Sequence, residues 1–351
     1  MGSVQPFSRN YGDCESPRQD PGQFAAFKVN GTNTTYTEVM TQAILIKYSL
    51  MRYMYTQLFS LSRLETNVGT LYKPMFFAFP NEEAAYMASP SENVMIGPSL
   101  KLSIKTSPSR DSLGDMNDYY FPAGLWCDIL HPWEFCVYTS ANSTEADLAA
   151  GVTDYHLHLR EGEILPFQNA TEIQANTTRY TKGLRAENLQ EHPIDLHILP
   201  IETTVDKTKA ILYTARGTYI NDDGVEPEVD RSTYNEYSIV FTYNDAVNNN
   251  TNDEYVRLTI GLTNNASRYY SNETKCSSIN MNDMLGRVFI YDEFGFFKHR
   301  VYVLGLVKND FTYEELGIAK FDIETNRMVY DPNGLSNRNK GIPLAICMND
   351  I

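Results

Sequence analysis

The sequence has no Cys-x-x-Cys pair; its five cysteines stand apart at Cys14, Cys127, Cys136, Cys276 and Cys347. A zinc site built on paired thiolates is therefore not expected. Cys127 and Cys136 are near enough to bridge within a hairpin, and the odd count leaves at least one thiol over. No run of Lys or Arg forms a basic stripe, and 29 basic against 44 acidic residues leave a formal charge of −15. Such a surface repels phosphate backbones and anionic lipid heads, so nucleic acid is not an expected partner. Long apolar runs are missing too. The stretch from Ala43 to Leu61 is broken by Lys47, Arg52 and Gln57, and a membrane span needs about 20 apolar residues in succession. No basic segment followed by an apolar run opens the chain, so no signal peptide is read there.

What is present describes a globular protein rich in strands. Hydrophobic residues make up 42% and charged residues 21%, an ordinary balance for a chain that can bury a core. The 24 tyrosines and 17 phenylalanines favour pleated surfaces. Asn-x-Ser/Thr acceptors occur at Asn30, Asn33, Asn142, Asn169, Asn176, Asn249, Asn265 and Asn272. They carry meaning only for a chain that enters a secretory lumen. Glycan acceptors without a leader conflict unless residues precede Met1, and the expectation is a truncated chain.

Residues 1–34, rich in Pro, Gly, Asn and Asp, read as loop. Thr35 three residues before Glu38 predicts a capping box and the start of a long helix. Met40, Ala43, Ile44, Met51, Met54, Tyr55 and Leu58 then recur on one helical face, and Gly69 is expected to stop the helix. Leu45, Ile46, Leu50 and Tyr53 make the other face apolar as well. Such a helix should be largely buried, yet little in this chain looks able to cover it. Leu71 to Phe79 reads as a short buried strand ended by Pro80. Beyond it, short strands alternate with Pro, Gly, Asn and Asp clusters, the signature of antiparallel sandwiches. They include Asn93–Ile96, Tyr119–Phe121, Tyr155–Arg160, Ala210–Thr214, Ser238–Tyr243, Val256–Leu262, Val288–Tyr291 and Val301–Val307.

Six blocks, in order, carry a resemblance to a known family. Pro6-Phe7-Ser8-Arg9-Asn10 followed by Gln19-Asp20-Pro21 is the first, and Lys47 to Thr56 the second. Lys73 to Pro80, Tyr120-Phe121-Pro122-Ala123-Gly124-Leu125-Trp126, His158 to Pro166, and Gly217 to Gly224 complete the series. Together they resemble the C-terminal portion of glycoside hydrolase family 31, of the α-glucosidase type. The resemblance implies a mainly β fold: the end of a (β/α)8 barrel (loop, long helix, last strand) followed by proximal and distal antiparallel β-sandwich domains. The division implied is 1–80 for the barrel remnant, 81–168 for the proximal sandwich and 169–351 for the distal one.

Retaining hydrolysis needs two carboxyl groups about 5 Å apart. In this family both are Asp residues upstream of the Pro-Phe-Ser-Arg-Asn block, so no catalytic residue is expected in this chain, and none of its activity alone. Asp115-Met116-Asn117-Asp118 imitates the nucleophile motif without its Trp and is read as a solvated turn. Tyr11 stands where the family has a sugar-binding His, and Arg9, Asn10 and Tyr11 are the candidate substrate contacts. Gln19 and Asp20 read as loop-bracing residues. Arg52 replaces a family Pro, so a helix kink is not expected there. His156 and His158 share a strand face, a metal-like spacing, but without a third ligand they read as hairpin surface. Trp126 and Trp133 could stack on sugars, although Trp126 sits at a family core position.

The resemblance thus implies the C-terminal part of an α-glucosidase acting on α-linked oligosaccharide or glycan in the lysosome, secretory pathway or outside the cell. The missing N-terminal barrel is its expected partner. Two-carboxylate hydrolysis needs no cofactor, and none is expected. The alternative is a non-catalytic carbohydrate-binding or scaffold protein derived from that family. A third reading is a chain with no stable role alone, exposing a large apolar patch.

Overall fold

A computed structural model describes residues 4–7, 15, 20–62, 69–106, 116–130, 136–139, 142–151, 153–176, 184, 189, 192–205, 210–222, 234–244, 255–264, 285–291, 302–307, 313–322 and 327–331. The capping box forms as expected. Glu38 N–H donates to Thr35 Oγ1 at 3.2 Å, and Thr35 N–H donates to Glu38 Oε2 at 2.6 Å. The Thr35 N–H and the Thr35 hydroxyl, both donating to the Glu38 carboxyl, hold it below its ordinary range. Helix α1 runs Tyr36–Ser49 and α2 runs Met51–Ser62, so the single expected helix is interrupted at Leu50, and the stretch between Ser62 and Gly69 lies outside the described residues. The cause is Ser49. Its carbonyl accepts from Gln168 N–H at 3.1 Å, while its hydroxyl donates to Leu45 O at 2.9 Å and accepts from Ala170 N–H at 3.0 Å. A serine drawn out of the i to i+4 ladder bends a helix without proline.

Residues 71–79 do not form the single strand expected of them. Strand β1 covers only Tyr72–Pro74, and Met75–Ala78 form a helical turn, α3. Pro74 starts the turn from an extended conformation, and Phe79 N–H donates to Met75 O at 2.8 Å. Helical spacing brings Met75 and Phe79 to the same cluster, while Phe77 stays 59% exposed. Helix α4 follows at Glu83–Met87, then β2 (Asn93–Ile96), β3 (Leu100–Ser103), β4 (Met116–Phe121), β5 (Gly124–Asp128), β6 (Val137–Thr139), β7 (Thr144–Ala149) and β8 (His156–Arg160). Six of these strands make an antiparallel sheet in the order β1-β2-β3-β8-β5-β6, and β4 pairs with β7 in a separate ribbon. A disulfide between Cys127 and Cys136 ties β5 to the start of β6.

Period-two alternation divides this sheet into two faces. Val94, Ile96, Leu100, Leu102, Leu125, Cys127, Leu157 and Leu159 belong to a core with Leu50, Tyr53 and Met54 of the helices. Met95 and Trp126 face the other way, into a cluster with Met75 and Tyr119, Tyr120 and Phe121 of the β4–β7 ribbon. The turn between β2 and β3 fits closely against α2. Gly97 has φ +61°, and a Cβ there would lie 2.4 Å from the Tyr53 hydroxyl, so this position requires glycine. That hydroxyl is itself committed, donating to Ile96 O at 2.7 Å and accepting from Ser99 N–H at 3.2 Å.

Strand β9 (Glu163–Phe167) passes into a second sheet, followed by helix α5 (Ala170–Asn176). The remaining strands are β10 (Ile194–Leu199), β11 (Ile201–Val205), β12 (Ala210–Asp222), β13 (Tyr234–Asn244), β14 (Tyr255–Asn264), β15 (Leu285–Tyr291), β16 (Tyr302–Val307), β17 (Tyr313–Asp322) and β18 (Arg327–Asp331). The ten-stranded order is β11-β12-β13-β14-β16-β17-β18-β15-β10-β9, mostly antiparallel, and β9 also meets β12 through the pair Arg216 and Glu163. The border between the two sheets falls on one peptide bond. Glu161 N–H donates to Leu125 O of the first sheet at 2.9 Å, whereas Gly162 N–H donates to Leu199 O of the second at 2.7 Å.

Helix α2 lies against both sheets. Beyond Tyr53, Thr56 Oγ1 accepts from Ile220 N–H at 3.1 Å, the Tyr55 hydroxyl donates to Asp222, and Phe59 meets the Tyr234 ring edge-on at 4.6 Å. The chain therefore does cover one side of the helix, against expectation. The covered side carries Leu45, Ser49, Leu50, Arg52, Tyr53, Met54 and Thr56. Of the stripe read as the main apolar face, Met54 belongs to the covered side, Ile44 and Leu58 are each 42% exposed, and Met40, Ala43, Met51 and Tyr55 are half-buried. The fold is mainly β, its sheets mainly antiparallel, as the sequence implies.

Candidate functional site

Arg9, Asn10 and Tyr11, the candidate sugar contacts, lie outside the described residues, as do Gln19, Asp115 and Trp133. So do Asn249, Asn265 and Asn272, and the side chain of Asn176. Asn30, Asn33 and Asn142 are exposed, while the Asn169 side chain caps α5 by accepting from Glu172 N–H at 3.1 Å. Asp20 precedes a 3-10 turn at Pro21–Phe24, and its carbonyl accepts from Gln23 N–H. Trp126 is fully buried with its indole N–H on Pro122 O at 3.0 Å, which removes it as a sugar platform.

The two histidines are not hairpin surface: His156 is 3% and His158 1% exposed. Strand alternation puts them on the face closed by the β4–β7 ribbon, opposite residues remote in sequence. His156 Nδ1 is 2.7 Å from Asp128 Oδ2, and its Nε2 is 2.8 Å from Ala149 O. The His158 ring meets Phe121 edge-on at 4.8 Å. Beside His158 in register stands Lys101, also fully buried. Its amine donates to Asn93 Oδ1 at 3.2 Å and to Ser103 Oγ, and lies 4.1 Å from the Phe121 ring centre. Burial holds that amine well below the ordinary lysine range. The signal for it in the sequence is a lysine set inside the alternating apolar run Leu100–Ile104. Among the described residues no group of three or more His, Cys, Asp or Glu is placed to hold a metal ion.

An open site does form where α2 crosses between the sheets. The cleft holds about 450 Å³. Helix α2 contributes Gln57 and Ser60, β1 contributes Lys73, and the β2–β3 turn contributes Ser99. From the second sheet come Glu163 of β9, Arg216 and Thr218 of β12, and Ser238 of β13. Ser99 Oγ donates to Glu163 Oε2 at 2.8 Å and fixes that carboxyl in the wall. Burial pushes the Glu163 carboxyl above the usual carboxylate range, opposed by the Ser99 bond and the charge of Arg160. Gly217 lets β12 press on β9, since a Cβ there would meet Ile164 O at 2.7 Å. No single stretch of sequence announces this cleft, because its residues arrive from six separate segments.

Residues 69–165 match the family described as Glycosyl hydrolase family 31 C-terminal domain. Lysosomal alpha-glucosidase of Mus musculus is 27% identical over 182 residues, covering 48% of this chain and 17% of that protein. Probable maltase-glucoamylase 2 of Homo sapiens is 27% identical over 172 residues, 48% of this chain and 6% of that protein. The chain therefore spans a minor part of the curated relatives it matches. The glucosidase II alpha subunit in its alpha3-Glc2-bound crystal structure superposes with a TM-score of 0.57 at 15% identity, over 85% of this chain and 28% of that one, a likeness of fold. The chain is thus similar to glycoside hydrolase family 31, the likeness being carried by that family's C-terminal domain over residues 69–165.

Proposed function

We propose that this chain is the C-terminal part of a retaining α-glucosidase-like glycoside hydrolase acting on α-linked oligosaccharide or glycan. The observation that carries the reading is the two-sided helix pair α1–α2. One side is buried against both sheets, and the other keeps Ile44 and Leu58 in solvent. An apolar outer stripe beside a matched C-terminal domain suits the last layer of a (β/α)8 barrel whose other elements lie outside these 351 residues. On this reading 1–80 end the barrel, 81–168 form the proximal sandwich and 169–351 the distal one. The barrel supplies the two carboxyl groups about 5 Å apart, one to attack the anomeric carbon and one to protonate the leaving oxygen. Arg9, Asn10 and Tyr11 form part of the sugar-site wall, and the eight Asn-x-Ser/Thr acceptors support a parent protein that is lysosomal, in the secretory lumen or extracellular.

The test is direct. The 351-residue chain, incubated with a chromogenic α-glucoside, is expected to release no aglycone above the uncatalysed rate. Turnover that disappears when one aspartate of this chain is changed to asparagine would overturn the reading.

A further inference from the structure

We propose that the cleft between α2, the β2–β3 turn and the β9–β12 contact binds a small polyhydroxylated anion, of the sugar-acid or sugar-phosphate class. Its 450 Å³ lies within the roughly 300–1,000 Å³ of small-molecule sites. The lining sets the chemistry. Hydroxyls of Thr218 and Ser238 and the amide of Gln57 offer hydrogen bonds from several walls. The one aromatic group, Tyr53, is buried and its hydroxyl already spent on Ile96 and Ser99. An apolar or stacking ligand therefore gains little here, whereas a ligand bearing hydroxyls on every side is matched. The charge sets the sign. Lys73 and Arg216 line the cleft against the single carboxyl of Glu163, and no carboxylate pairs with either cation among the described residues. The site is rigid before any ligand arrives, because a helix and strands carry its groups and Ser99 anchors Glu163. This proposal does not depend on the chain's being part of a glycosidase.

The experiment is calorimetric titration of the 351-residue chain with gluconate, glucose 6-phosphate, glucose and inorganic phosphate. Gluconate or glucose 6-phosphate should bind at least about tenfold more tightly than glucose or inorganic phosphate, and which of the two wins identifies the anionic head. Arg216→Ser and Lys73→Ser should each weaken that binding by about tenfold or more. Glu163→Gln, which keeps an acceptor for Ser99 and removes the opposing charge, should tighten it. That gain cannot arise from a damaged fold. Equal binding of glucose, inorganic phosphate binding as well as the sugar anions, no binding at all, or weaker binding by Glu163→Gln would each overturn the proposal.

Discussion

The contact between Tyr53 and Gly97 can be tested by a double-mutant cycle. Tyr53→Phe removes a hydroxyl that serves both Ile96 O and Ser99 N–H in a buried setting. Leaving such groups unserved costs about 1–3 kcal/mol each, so a loss of about 2–4 kcal/mol is expected, with the carbonyl partly served by its strand ladder. Gly97→Ala carries two penalties. An alanine at φ +61° costs about 1–2 kcal/mol. Its Cβ, 2.4 Å from the Tyr53 oxygen, also pushes the hydroxyl away and forfeits the same two bonds. In the double variant those bonds are lost once rather than twice, and the clash with oxygen is gone. The combined destabilisation should therefore fall short of the sum by about 2 kcal/mol, well outside the ~0.5 kcal/mol scatter of independent sites. Urea unfolding followed by tryptophan fluorescence reports on this region, because Trp126 is buried in the same sheet as the strands flanking Gly97. Additive single-variant effects would refute the account of why glycine occupies 97.

Lys101 gives a prediction in pH. Burial depresses its amine, so between its folded value and the ordinary 10.5 the unfolded chain holds a proton that the folded chain lacks. Its stability contribution is thus fully present above the unfolded value and is lost as pH falls. The urea midpoint of the unaltered chain should rise from pH 8 to pH 10 relative to Lys101→Met; a difference that is constant over that window would discard the neutral buried amine. Replacing Cys127 and Cys136 together by serine opens a loop of sequence separation 9. The loss should be about 2.5 kcal/mol by chain entropy, and reductant should destabilise the unaltered chain but not the variant.

The legible parts of this fold are those whose cause is local. Thr35 and Glu38 announce their box within four residues, and β2 was read to its bounds because Pro, Gly and Asn punctuate a short apolar run. The illegible parts depend on partners far along the chain. Ser49 breaks a helix only because Gln168 and Ala170 come to it. His156 and His158 looked superficial because the Asp128 carboxylate, the Ala149 carbonyl and the Phe121 ring that enclose them belong to other strands. The aromatic run at 75–79 suits a strand by composition, and it coils because Pro74 starts a helical turn closed by Phe79 N–H on Met75 O. The outer stripe of α1–α2 was correctly apolar, but periodicity alone gives no sign of which of two apolar sides this chain covers.

The peptide joining Glu161 to Gly162 has a practical consequence for anyone dividing this gene into expression fragments. The family match stops at residue 165, inside the five-residue strand Glu163–Phe167. A cut there leaves β10 and β12 each missing a neighbour, and gives the upstream piece a frayed stub that no strand of its own sheet can dock. Neighbouring backbone amides, one tethered upstream and one downstream, leave no slack in which a hinge could grow. Recombination or fragment exchange is expected to carry the two sheets as a pair.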